Sequence, residues 1–346
     1  MGREVRRQRP EQQRAGPALH AAVAERPARD RVAGGVLDDP GQVDPARPVG
    51  PAQIEAFAQL VVSAVLLGGI YALISLGLTL IFGILRVVNF AHGEFLMLGM
   101  YLAFWAFTLW GVDPYAALAA AIPLSFLLGL LTYGAVMRGV IRASHNVQIF
   151  TTVGLSIVLQ NVALVAWSGD FRSVRPWHSA VVLRAGGTAF NLSQVVAFVI
   201  AVVLTVALFA FMRWTHTGRV MRATAQDRDA ATLMGIDTDR VYRLTFAIGI
   251  AAVGAAGVLV APLYPVYPTA GLQFVLVSYV VVVLGGLGDM VGALLGSLIV
   301  AAVEVVGSYF FGTAWKEVLY FLLFIAVLVF RPAGLFGQRG AETLGA

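Results

Sequence analysis

Residues 71–101 read YALISLGLTLIFGILRVVNFAHGEFLMLGMY and set Arg86, Asn89, His92 and Glu94 between two long apolar runs. Residues 54–85 on one side are almost uncharged, and residues 95–110 on the other carry no charge. The polar cluster therefore sits where two membrane-spanning segments meet, or inside the second of them. An ionisable side chain near a bilayer interior costs about 3 kcal/mol on insertion scales, so such groups are seldom left without a role.

Outward from that stretch the whole chain has the same character. Hydrophobic residues make up 59% and charged residues 12%, with a mean hydropathy of +0.81. A spanning helix needs about 20 mostly apolar residues, and several separate stretches meet that length. The expected fold is an all-α polytopic membrane protein, a bundle of about eight to nine transmembrane helices with re-entrant or broken segments. The absence of cysteine excludes disulfides, thiolate metal sites and cysteine nucleophiles. The net charge of +5, carried almost wholly by arginine, reports orientation in the lipid bilayer and does not point to nucleic acid.

Residues 1–50 have no apolar run and cannot bury a core, which reads as a disordered tail or a start assigned too early. The transmembrane domain covers 51–337, and 338–346 reads as a cytoplasmic tail. Spans are expected at about 55–84, 87–110, 115–137, 148–167, 190–212, 242–264, 273–289, 291–311 and 315–331. The segment 273–289 is short and ends in a glycine cluster, as a half-helix that turns back would. Recurrent glycines, among them Gly77, Gly249 and Gly292, favour close helix packing where lipid supplies no hydrophobic drive. Basic loops at 138–145 and 213–243 read as cytoplasmic, which puts 169–187 and Ile54 outside. Arg172, Arg175 and Arg184 in that outer loop go against the rule.

His92 and Glu94 point about 200° apart on a helix, which disfavours a metal pair. Two readings stay open for Asn89, His92 and Glu94: contacts that orient helices, or groups that line a path for a polar solute. Thr151, Thr152, Ser156, Gln160 and Asn161 give the fourth span a polar side, for which interhelical hydrogen bonding is the default. Pro262, Pro265 and Pro268, with Tyr264 and Tyr267, break the sixth helix at its outer end. The backbone groups freed there need partners in protein, water or a solute such as a small zwitterion. Glu304 faces the interior of an apolar span. In the loop at about 214–241, residues 219–234 predict a surface helix without a breaker until Gly235. Asp229, Ala230 and Ala231 expose a small-residue face there to an external motor, or else the helix merely lies on the membrane.

Tyr71-Ala-Leu, Gly77-Leu-Thr-Leu-Ile81-Phe-Gly83 and Asn89-Phe-Ala-His-Gly-Glu94-Phe resemble the inner-membrane permeases of ABC importers for branched-chain amino acids, the LivH type. Thr151-Thr-Val-Gly154-Leu-Ser156, Thr217-Gly-Arg219 to Gly235-Ile236, Val283 to Gly292-Ala293 and Arg331-Pro-Ala-Gly-Leu-Phe336 look the same way, so the resemblance runs from about 54 to 337. It implies a permease in the bacterial inner membrane with no ATPase, cofactor or catalytic residue of its own. The implied partners are a LivM-like second permease, two ATP-binding subunits and a periplasmic amino-acid-binding protein. Asp229-Ala-Ala-x3-Gly235 resembles the coupling motif Glu-Ala-Ala-x3-Gly, so Arg219 and residues 229–235 would dock an ATPase. Here Asp stands first, and the motif's downstream Leu-Pro is missing. The implied mechanism is alternating access, with Asn89, His92, Glu94, Thr151, Thr152, Ser156 and Tyr267 as path or structural polar groups. Urea, short amides and other amino acids are alternative solutes, and an ion-coupled secondary transporter is the alternative class.

Overall fold

The computed structural model describes residues 51–185, 187–331 and 334–336, so both terminal tails lie outside it. Twelve α-helices carry the described chain. They are α1 (Pro51–Leu85), α2 (His92–Trp110), α3 (Leu118–Thr132), α4 (Arg138–Val140), α5 (His145–Trp167), α6 (Leu192–Trp214), α7 (His216–Gln226), α8 (Arg228–Leu233), α9 (Thr238–Val260), α10 (Gly271–Gly285), α11 (Met290–Phe311) and α12 (Lys316–Phe330). A π-helical turn, Tyr133–Met137, joins α3 to α4 as one continuous rod. Eight helical stretches are long and apolar enough to cross a membrane, and α10 is a ninth, shorter apolar helix. The chain is thus a multi-pass, all-α membrane protein. A single hairpin of β1 (Val182–Ala185) and β2 (Thr188–Asn191) was not expected.

Helix ends follow local chemistry. The side chains of Asn191, Thr215, Asp227, Asp237 and Asp289 each accept a backbone N–H from the first turn of the helix they precede. Such caps satisfy donors that the helix leaves without partners. Gly111 ends α2 in the left-handed region, at φ 64.

Helices α1 and α9 form the centre and are buried along most of their length, whereas α5 and α12 expose most of theirs. The two central helices cross at Gly77 and Gly249. A Cβ on either would stand 2.6–2.7 Å from the other's carbonyl oxygen, so only hydrogen fits. In lipid, where apolar surface has no preference for protein, such backbone proximity supplies packing energy that larger residues would forfeit.

Two helices begin halfway up the bundle. The His92 ring meets the carbonyl of Ile74, eleven residues before the end of α1 (85 − 74), or about 16 Å at 1.5 Å per residue. Glu94 meets Ser156, halfway along the 23 residues of α5. Residues 87–91 thus rise into the bundle as irregular chain, and the second span starts at 92 rather than 87. On the other side α9 ends at Val260, not 264, and residues 261–270 turn back inward. Helix α10 then starts at Gly271, beside Gly93. Irregular backbone at such depth is tolerated where protein buries it, and here Asn89, Ala91, Val266 and Ala270 are all fully buried.

The same contacts fix which ends belong together. Ile84, Leu85 and Arg86 share a cavity of about 410 Å³ with residues 224–229 and Tyr242. Gln59 near the start of α1 bonds Ala189 of the hairpin. Residues 54 and 169–185 therefore lie at one end of the bundle, and α7–α8 at the opposite end.

Candidate functional site

The polar stretch at 86–94 resolves into two contacts facing different helices. The Asn89 side-chain oxygen accepts from the Ala91 N–H at 3.2 Å, forming the turn that lets α2 begin. His92, on the first residue of α2, donates Nε2–H to the Ile74 carbonyl at 3.0 Å and so binds α2 to α1. Two residues on, Glu94 faces α5, where its Oε1 accepts from Ser156 Oγ at 3.1 Å and Gln160 Nε2 at 2.7 Å. Divergence by about 200° is the direct result of i, i+2 spacing on a helix. Among the described residues no group of three or more His, Asp or Glu could hold a metal ion.

Three polar atoms of this stretch are buried without a partner: Asn89 Nδ2, His92 Nδ1 and Glu94 Oε2. An unpaired buried polar group costs about 1–3 kcal/mol, more when charged. A functional site can bear that cost where a solute later completes the bonding.

Thr152 joins this region by donating to the Val88 carbonyl at 3.1 Å, which ties α5 to the rising segment. Thr151 does not. Its hydroxyl bonds Val147 in its own helix at 2.7 Å, because it lies about 100° around from Thr152. Asn161 likewise bonds back to Ile157. Tyr267 is also separate, its ring packed against Phe171 at 4.7 Å near the far end of the bundle. Gln160 holds the shortest bond to Glu94, and only its place on the polar side of the fourth span hinted at that.

A second buried polar set lies on α1, α11 and α12. Glu304 accepts from the Tyr71 hydroxyl at 2.8 Å, and its other oxygen stands 3.6 Å from Lys316 Nζ. The partners are 233 residues apart and on a third helix, beyond the reach of sequence spacing. The arrangement ties the otherwise exposed α12 to the core.

At the α7–α8 end the expected single helix is broken. Asp227 is extended (φ −149, ψ 108), and its carboxylate caps α8 at Ala230 N–H. The break follows because Asp competes for backbone donors in non-helical geometry. The result is an elbow of two short helices closed by Gly235 at φ 81. Arg219, Asp229 and Ala230 are exposed, and Ala231 is buried against the bundle. Leu233 and Met234 beside Gly235 are 88% and 82% exposed. Gly235, Ile236, Arg240 and Val220 line a groove of about 460 Å³ next to them. Asp227→Ala should destabilise α8 by about 1 kcal/mol through loss of the cap, read as faster amide exchange confined to residues 228–234.

A family model described as "Branched-chain amino acid transport system / permease component" matches residues 60–328. The high-affinity branched-chain amino acid transport system permease protein LivH of Escherichia coli K12 is 35% identical over 299 residues, 83% of this chain and 97% of that protein. LivH of Salmonella typhimurium is 34% identical over the same shares. BraD of Pseudomonas aeruginosa, another high-affinity branched-chain amino acid permease, is 32% identical over 303 residues, 84% of this chain and 99% of its own. No solved structure matches.

Proposed function

Since the chain belongs to the branched-chain amino acid transport permease family, we propose that it is the permease subunit of an ATP-driven ABC importer for leucine, isoleucine and valine. In this reading it works in a bacterial inner membrane by alternating access. It pairs there with a second permease of the LivM type, two ATP-binding subunits and a periplasmic amino-acid-binding protein.

The observation that carries the reading is the α7–α8 elbow. Exposed Leu233 and Met234 beside a groove suit a partner that removes them from water, since burying one such side chain is worth about 1.5–3 kcal/mol. The elbow shares a cavity with the foot of α1 and with Arg86. A push on it would therefore reach the rising segment that carries Asn89 and leads into His92 and Glu94 at the start of α2. Glu94 Oε2 is the acceptor available to a substrate ammonium, with Ser156, Gln160 and Thr152 beside it. His92 and Asn89 hold the start of α2 in place. Thr151 and Tyr267 are not needed by this path.

The test is uptake of labelled leucine by proteoliposomes carrying this chain with its partner permease and ATPases, with ATP inside and the binding protein outside. Uptake requiring both supports the reading. Uptake by this chain alone on an ion gradient would make it a secondary transporter, and ATP-dependent import of urea or an amide would change only the solute.

Within that system Glu94→Gln is expected to lower leucine uptake about tenfold or more, since hydrogen bonds to a charged group are worth about 1.5–3 kcal/mol. The complex should still assemble on a sizing column. Loss of assembly in step with uptake would make Glu94 a purely structural contact.

A further inference from the structure

The outer-loop arginine that goes against the charge rule is not a free loop charge. Arg172 lies over the rings of Phe104 and Trp105, 5.2 Å from each centroid, on the upper part of α2. Its Nη2 donates to the Trp167 carbonyl at 2.6 Å, and its backbone pairs with Val266 in an isolated antiparallel bridge. The Trp167 ring in turn stacks on Tyr101 at 4.1 Å. Three buried donors around this guanidinium have no partner: Arg172 Nε, Trp105 Nε1 and the hydroxyl of Tyr101, a residue only 1% exposed. The nearby carboxylate of Asp170 is exposed and takes a hydrogen bond from Ser168. A cation whose one hydrogen bond goes to a backbone carbonyl, beside three idle donors, is complementary to a carboxylate.

We propose that Arg172, Trp105 and Tyr101 form a receiving station for the carboxylate of the incoming amino acid, a claim that rests on the transport reading above. Glu94, Tyr101 and Trp105 are spaced i, i+7, i+11 and so share one face of α2, the face toward α5. Between Glu94 and Tyr101 lie about 10 Å of helix, too far for one amino acid to touch both with its two charged groups. The seam between α2 and α5 thus carries two stations of opposite polarity in sequence, a donor station near the outer end and a carboxylate at half height.

The test uses saturation-transfer NMR on the purified complex without its binding protein. The probes are 4-methylpentanoate, which has the carboxylate alone, and 3-methylbutylamine, which has the ammonium alone. Tyr101→Phe keeps its ring and removes only the hydroxyl donor, and Trp105→Phe removes the indole N–H while leaving a smaller aromatic ring under Arg172. The wild type should bind 4-methylpentanoate, and the double variant about tenfold more weakly, the size expected for hydrogen bonds to a charged group. Binding of the amine should be unchanged. No carboxylate binding in the wild type, equal affinity in the double variant, or equal binding of inorganic phosphate would overturn the proposal. Leucine uptake by the wild-type complex decides the transport reading separately, so failure of one does not pass for failure of the other.

Discussion

Gly235→Arg is expected to leave the permease folded and inserted but to strip the ATP-binding subunits from the purified complex, taking leucine uptake to background. Gly235 sits past α8 at φ 81, and a Cβ there would meet nothing within 4 Å. The fold can therefore hold a side chain at this position for about 1–2 kcal/mol of left-handed backbone strain. A partner seated on Leu233, Met234 and the adjoining groove could not, because the arginine would project a charge into the space it fills. Gly235→Ala separates the two effects: it carries the same strain without the bulk, and should keep the ATP-binding subunits. If Gly235→Arg retains them, the elbow is a passive helix pair lying on the membrane.

The largest effect on folding is expected at Gly93. A Cβ there would fall 2.2 Å from the carbonyl oxygen of Gly271, and one on Gly271 would fall 2.3 Å from that of Gly93. Both obstacles are backbone, which cannot rotate aside as a side chain tip does. Overpacking a core costs about 1–3 kcal/mol and more when backbone must move, so Gly93→Val should cut the yield of monodisperse protein about tenfold or more. Gly134→Ala meets open space and should leave yield unchanged. Equal yields of the two would mean that α2 and α10 do not cross here.

What the sequence made legible follows from which forces act locally. Apolar runs gave the spans, because a bilayer selects length and hydropathy directly. They did not show that residues 87–91 are irregular, since Val87 and Val88 are as apolar as the helix that follows. The break at Asp227 had a local signal, an Asp three residues before the Ala230 amide it caps, but good helix formers on both sides masked it. At the candidate site the divergence of His92 and Glu94 was readable from helix periodicity alone. Their partners were not: Gln160 is 66 residues from Glu94 and Tyr71 is 233 from Glu304, and only the packed bundle brings them together. Thr151 and Tyr267 failed to join for the same reason, because residue type states a capacity to bond and packing decides with whom.

The half-height starts of α2 and α10 also have an electrical consequence. A continuous helix presents an insulating wall along its full length. Here α2 and α10 each begin at half height and run to opposite ends of the bundle, and the two meet at Gly93 against Gly271. For a path past that crossing, the barrier between the two faces of the membrane would be thinner than a full helix length. The transmembrane potential would then fall mostly across this layer, and a charged solute would sense nearly all of it in a single short step.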